Sequence, residues 1–138
     1  MATSVERALE DTLEGLVEGL TYITANSVPV LNWGDVSADT VYPCVSVRVQ
    51  PRERIAPNAD YYRLVCEVVA YRYMQDDKNQ TTSGKALDEI FAEISTWAHG
   101  LTDAGLSVDG IVGIAGIEDI SEAIHSKGVS FEVYETIP

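Results

Sequence analysis

Apolar residues near the amino terminus recur at intervals of three and four positions, which predicts one long amphipathic helix. The apolar stripe runs through residues 5–23, and acidic residues occupy the other faces. Thr3 and Glu6 have the spacing of a capping box, so we expect Thr3 to cap the helix. We expect the helix to end near Asn26 and residues 27–40 to form a loop.

The middle of the chain alternates apolar and polar residues, a pattern typical of strands. After position 41 the alternating residues are Val45, Val47 and Val49 on one side and Cys44, Ser46 and Arg48 on a half-wet side. Residues 50–60 break this strand, and a second strand over 61–73 is predicted to form a hairpin with it. The apolar side is odd-numbered on the first strand and even-numbered on the second, so paired residue numbers must add to an odd number. Cys44 and Cys66 then lie on opposite faces, and no disulfide is expected.

The last part of the chain contains a second helix and two further strands. Apolar residues at helical spacing over 87–98 predict the helix, which Gly100 closes as a carboxyl-terminal cap. A loop over 101–110 follows, then a short apolar strand over 111–117 and a final alternating strand over 129–134.

The predicted order of elements is therefore α-β-β-α-β-β. Because hairpins lie between the helices, this order favours an α+β fold over a doubly wound parallel sheet. We expect a sheet of about four antiparallel or mixed strands packed with two main helices. A chain of 138 residues with 46% hydrophobic and 22% charged residues is typical of one domain, spanning 1–138, with a core that needs no disulfide or metal.

The overall charge restricts the partners that the chain can bind. Its 22 acidic and 9 basic residues leave a net charge of −13, which repels phosphate backbones and anionic lipid. We therefore expect neither sequence-specific nucleic-acid binding nor membrane binding. The amino terminus lacks the basic start and apolar core of a secretory signal, so we expect the protein to be soluble and made in the cytoplasm.

No motif in the chain predicts a catalytic, cofactor or metal site, and we expect a protein that is not an enzyme. The glycines Gly110, Gly113 and Gly116 lack the ending of a phosphate-binding loop and favour a bulged or flexible strand. The run that starts at Asp77 resembles a calcium loop, but Thr82 and Asp88 stand where glycine and glutamate are required.

The two histidines have structural interpretations. His99 is expected at the end of the second helix, where the helix dipole favours it, and His125 in a polar turn. Glu118, Asp119 and Glu122 are expected to be solvated surface. A small hydrolase that uses His125 and nearby carboxylates is the third reading of the chain.

The basic residues are concentrated in the predicted hairpin. Residues 48–72 hold five of the nine basic residues and have a local net charge of +2, whereas the rest of the chain has −15. A basic hairpin on an acidic body can contact the carboxylates of a neighbouring subunit in a head-to-tail ring. We therefore predict a subunit or tube interface at Arg48, Arg52 and Arg54, with the loop over 50–60; the alternative is that these arginines are simply solvated.

Several segments together match the layout of a known family. They are the helix over 5–23, the start of the valine strand (Tyr42-Pro43-Cys44-Val45-Ser46-Val47), the strand over 64–73, the helix over 87–97 and the last strand Gly128-Val129-Ser130-Phe131-Glu132-Val133-Tyr134. In this order of elements the chain resembles the tail terminator (tail completion) proteins of long-tailed bacteriophages. The resemblance covers almost the whole chain and rests on architecture, without a signature motif.

The resemblance implies a structural protein of the virion tail-neck region, assembled in the host cytoplasm. Such a protein forms a ring, a hexamer, that caps the tail tube, ends tube polymerisation and offers a docking surface to the head connector or head-completion protein. It has no active site and no cofactor. The alternatives are another phage neck or head-completion protein, or a small bacterial ligand-binding or regulatory domain. The ligand-binding alternative predicts a pocket between the first helix and the sheet, lined by Trp33 and tyrosines.

Overall fold

The computed structural model of the protein describes residues 4–33, 43–55, 57, 60–74, 82–121 and 123–137. The helices in these residues are α1 (Val5–Glu18), α2 (Thr21–Ala25), α3 (Thr82–His99) and α4 (Asp103–Leu106). The strands are β1 (Val30–Asn32), β2 (Cys44–Val49), β3 (Glu53–Arg54), β4 (Tyr61–Tyr73), β5 (Gly110–Ser121) and β6 (Ile124–Thr136).

The predicted first helix is interrupted and forms α1 and α2. Between them, Leu20 has an extended backbone, with φ −68° and ψ 144°. Ile23 in α2 is nevertheless buried, so the apolar spacing continues across the break and hides it in the sequence. Ser4 caps α1 by accepting a hydrogen bond from the backbone N–H of Arg7 at 3.1 Å. The predicted cap, Thr3, was one residue too early and lies outside the described residues.

The described strands form one mixed sheet in the order β1-β2-β4-β6-β5, with β3 paired to the start of β4. β1 is parallel to β2, and the other neighbouring strands are antiparallel. The α+β class is therefore confirmed. The expected number of strands was wrong, because the sheet has six. β1 and β3 contain only three and two residues, too few to show alternation in the sequence.

The predicted boundaries hold best for the longest patterns. β4 has the predicted bounds, and Gly100 follows α3 with its N–H bonded to the carbonyls of Thr96 and Trp97. β5 and β6 are 12 and 13 residues long and extend well beyond the predicted strands. β1, β3 and α4 lie in segments that were predicted as loops. Within β5, Gly113 has a φ of 70° at a shift in register, which confirms the predicted bulge.

The register of the β2–β4 hairpin agrees with the prediction that paired residue numbers add to an odd number. Val47 pairs with Val68, so the paired numbers add to an odd number, and both side chains are fully buried. Cys44 therefore lies on the opposite face of the sheet from Cys66. Both cysteines are free, as expected.

The side of β2 that was expected to be half-wet is dry at two of its three positions. Cys44 and Ser46 are buried, and only Arg48 is partly exposed. The hydroxyl of Ser46 donates a hydrogen bond to the hydroxyl of Tyr71 at 3.1 Å, which satisfies the polar group in a buried place. Alternation along a strand identifies its two sides but not what covers each side.

The hydrophobic core lies between the sheet and the helices α1 and α3. Its largest fully buried side chains are Leu13, Val17, Val45, Val47, Leu64, Val68, Leu87, Ile90, Ile94, Val129, Phe131 and Val133. The residues that alternate with these on the strands project from the other side of the sheet. No described helix packs on that side, and we call it the helix-free face. This face carries Arg48 and Glu67, which are register partners on β2 and β4.

Candidate assembly interface

Arg48 stands on the helix-free face at the β1 side of the sheet. Its guanidinium carbon lies 4.2 Å from the ring centroid of Trp33, the residue that follows β1. The indole is 49% exposed, and Arg48 has no ion-pair partner among the described residues. The pair offers an exposed aromatic ring and a positive charge side by side.

Arg52 and Arg54 lie on the other side of the sheet, near the start of α1. Arg54 pairs in register with Tyr62 and donates a hydrogen bond from Nη2 to the Tyr62 hydroxyl at 2.7 Å. The Arg52 guanidinium lies 5.3 Å from the Tyr62 ring centroid and 3.9 Å from Oε1 of Glu6. The three predicted interface arginines are therefore not one cluster: Arg48 is on the helix-free face, and the other two are on the helix side.

The remaining arginines of the basic hairpin have partners in their own chain. Arg63 forms a 2.6 Å ion pair with Glu53 and approaches Glu132 at 3.8 Å. Arg72 is buried and donates a hydrogen bond from Nε to Nδ1 of His125 at 3.1 Å. These two side chains connect neighbouring strands of the sheet, so they are neither free for a subunit contact nor simply solvated.

β5 forms the other edge of the sheet. It pairs with β6 on one side, and no described strand pairs with it on the other. Val112 and Ile120 are 48% and 63% exposed, values that are high for large apolar side chains. Asp119 is also exposed and makes no ion pair with any described residue. Sequence reasoning missed this edge, because an apolar run beside acidic residues does not reveal which positions are exposed.

His125 was the candidate base of the hydrolase alternative, and it lies on β6 instead of in a turn. Its Nδ1 accepts from Arg72, so its proton is on Nε2, which donates to Oε2 of Glu118 at 2.8 Å. This bond lowers the pKa of Glu118 below its ordinary value. Both ring nitrogens are therefore occupied within the chain, and the imidazole holds β4, β5 and β6 together.

Lys127 extends this polar network to α3. Its ammonium lies 2.8 Å from Oδ1 of Asp88 and 3.7 Å from Oε2 of Glu118. The bond to Asp88 raises the pKa of Lys127. The lysine also lines a shallow recess of about 200 Å³ with Phe91 and Gly116. Each charge of the network has an opposite charge within reach, an arrangement typical of structural support.

The space between α1 and the sheet is filled by side chains. Leu13 and Val17 are fully buried there, and Trp33, the expected pocket residue, lies on the helix-free face. Two larger openings are lined by described residues away from Trp33. A groove of about 490 Å³ between α2 and α3 is lined by Leu20 and Trp97, and a groove of about 290 Å³ lies where α1 meets α4.

The described residues show neither a metal-binding cluster nor a helix that could span a membrane. They contain no group of three or more His, Cys, Asp or Glu side chains placed to hold a metal ion. Most of the calcium-like run that starts at Asp77 lies outside them. No helix in this part of the chain is both long enough and apolar enough to cross a membrane.

Comparison with known proteins supports the fold. A solved structure is 16% identical to this chain, covers 98% of it and 99% of its own length, and superposes with a TM-score of 0.50. Its name indicates no function. No protein-family model matches the sequence, and no curated protein matches it. At this identity the likeness concerns the α+β architecture alone.

Proposed function

We propose that this chain is a tail terminator protein of a long-tailed bacteriophage. In this proposal its subunits form a ring, a hexamer, that caps the tail tube, ends tube polymerisation and presents a surface to the head connector or head-completion protein. The proposed location is the tail-neck region of the virion. The proposal starts from the resemblance in the order of elements and from the segments that carry it.

The observation that carries the proposal is the pair of unlike edges of the sheet. One edge is the long strand β5, where Val112 is exposed on the helix-free face and Ile120 on the helix side. The other edge ends at the exposed ring of Trp33 beside Arg48. A long sheet edge without a strand partner can pair with another chain, and subunits of an assembly bury such edges and their exposed apolar side chains against a neighbour.

The acidic body is compatible with a ring through which DNA passes. A net charge of −13 repels the phosphate backbone, so an acidic lumen does not retain the DNA. The histidine network supports a protein without catalysis, because His125 has both nitrogens engaged within the chain. Neither described cysteine is exposed as a nucleophile, since both are buried.

The test is the mass of the purified protein by light scattering across protein concentration and salt, with negative-stain imaging of any large species. The expected result is a ring of closed symmetry with a central hole. High salt should weaken it, because exposed charge pairs are screened over about 10 Å at 0.1 M salt. A protein that stays monomeric at the highest concentration contradicts the proposal and favours the ligand-binding alternative.

A further inference from the structure

We propose that the two edges of the sheet are the two halves of one contact between copies of this chain. In this contact, Val112 and Ile117 of β5 pack against Trp33 of the next copy, and Asp119 pairs with its Arg48. The inference rests on the proposed function and names the surface through which the ring closes.

The β5 half of the contact lies on the helix-free face. Tyr71 of β4 pairs with Cys44 and lies on the helix-free face, like Glu67. Tyr71 also pairs with Ser126 of β6, and Ser126 pairs with Asp119 of β5, so Asp119 lies on that face too. Ile117 and Val112 occupy the same face through their partners Gly128 and Glu132. The three side chains therefore form a strip along one side of the edge, apolar over most of its length and acidic near its end.

The second half lies on the same face at the opposite edge. Arg48 is the register partner of Glu67 and carries the ring of Trp33 against its guanidinium. Because both halves face the same way, two copies placed side by side can bring them together without turning one sheet over. Arg48 and Asp119 are also matched in charge, and neither forms an ion pair within the described part of its own chain.

A second copy that pairs β5 with β5 fits less well. Antiparallel pairing about a twofold axis near residues 118 and 119 places the carboxylates of Glu118 and Asp119 against the same carboxylates of the other copy. Pairing about the middle of the strand meets the bulge at Gly113. The acidic edge therefore favours a basic, aromatic partner, and this chain carries one at its other edge.

A contact between two different edges is heterologous. Each copy then keeps one free β5 edge and one free Trp33 edge, so copies add head to tail until the rotation between them closes a ring. The size of the ring is determined by that rotation. This is the mode of association that a tube cap requires.

The experiment compares assembly of Arg48→Glu, Asp119→Arg and the double variant with the wild type, by light scattering and negative stain. Each single variant places like charges at the contact. Its assembly midpoint, the protein concentration at which half of the chains are assembled, should therefore rise by about tenfold or more. The double variant restores opposite charges at every contact of a head-to-tail ring, so its midpoint should return toward that of the wild type. Circular dichroism verifies that each variant folds.

Lys85→Glu and Glu89→Arg are matched controls. Both residues are exposed on α3, away from the helix-free face, and the substitutions change the net charge by the same amounts. They should leave the midpoint unchanged. Equal loss of assembly in the controls would mean that net charge governs assembly and would overturn the contact.

The outcomes separate the contact from the function. Rings that persist in both single variants overturn the contact and leave the ring function standing. Open chains that need Arg48 and Asp119 and never close support the contact and overturn the ring function. A wild-type protein that stays monomeric overturns both.

Discussion

Gly128 of β6 lies so close to Val69 of β4 that the sheet has no room for a side chain there. A Cβ at position 128 would lie 2.6 Å from the Cα of Val69, and closer still to the carbonyl oxygen of Val68. The two strands pair along their whole length, from Tyr61 with Thr136 to Tyr73 with Ile124. This close approach in the middle of the longest pairing makes the glycine a requirement of the fold.

Replacing Gly128 with alanine should therefore destabilise the protein. The added methyl forces β4 and β6 apart, and we expect the free energy of unfolding to fall by about 2–3 kcal/mol. Chemical denaturation measures it. Gly110→Ala is the matched control, because a Cβ at that position meets nothing within 4 Å. Equal stability of the two variants would refute the close approach.

Glu93 ties α2 to α3. Its carboxylate oxygens accept from the backbone N–H of Tyr22 at 2.8 and 3.0 Å, near the start of α2. Glu93→Ala removes this capping interaction and should cost about 1 kcal/mol of unfolding free energy. Glu89→Ala, one turn earlier on α3 and exposed, should cost close to nothing. Equal stability changes in the two variants would mean that the bond to Tyr22 adds nothing to stability.

The two cysteines should resist alkylation in the folded protein. Burial raises the pKa of Cys44 to about 11 and that of Cys66 to about 12. Because only the thiolate reacts, a pKa two units above normal reduces its fraction at pH 8 by about a hundredfold. Iodoacetamide labelling followed by mass spectrometry should show slow modification of the native protein and rapid modification in guanidinium. Rapid native labelling would contradict the burial.

The hydrogen bond from His125 should make Glu118 a stronger acid than usual. Since the folded-state pKa is lowered, Glu118 contributes stability above its ordinary pKa, and that stability is lost as the pH falls through the lowered value. His125→Ala should raise the pKa of Glu118 toward normal, although Lys127 still lowers it in part. Carboxyl carbon shifts in an NMR titration report this pKa. An unchanged value would mean that the bond is absent in solution.

Reversing both Arg52 and Arg54 tests the interface predicted from the basic hairpin. If these arginines meet carboxylates of a neighbour, Arg52→Glu with Arg54→Glu should dissociate rings at moderate salt. Arg7→Glu with Lys85→Glu makes the same change in net charge on the helices and should leave the rings intact. If rings survive the charge reversal at Arg52 and Arg54, these two arginines do not belong to the interface, and Arg48 is left as the basic contact.

The long periodic elements could be predicted from the sequence, because burial on one side of an element requires a repeat. Val47 and Val68 show this: the two apolar stripes require that paired residue numbers add to an odd number, and this pair does so. The same argument placed Cys44 and Cys66 on opposite faces. The bulge at Gly113 was also predictable, because glycine adopts positive φ without strain.

Two other features depended on the tertiary structure. The short strands β1 and β3 exist because β2 and β4 offer them partners, and three or two residues carry no periodic signal of their own. Arg48, Arg52 and Arg54 are close in sequence, yet they lie on different faces of the sheet. β2 and β3 both run antiparallel to β4, but their register against it differs by one residue. This shift places Arg48 on the helix-free face and Arg54, with Arg52 beside it, on the helix side.

The amino-acid sequence by itself determined the α+β class, the positions of the main helical segments and the faces that β2 and β4 share in the central hairpin, since each follows from local periodicity. The tertiary structure alone decided which charges have partners and which edges stay open. Arg63 and Arg72 are paired across strands, whereas Trp33 and Val112 remain exposed at opposite edges. Exposure depends on what packs from distant parts of the chain, and no local pattern contains that information.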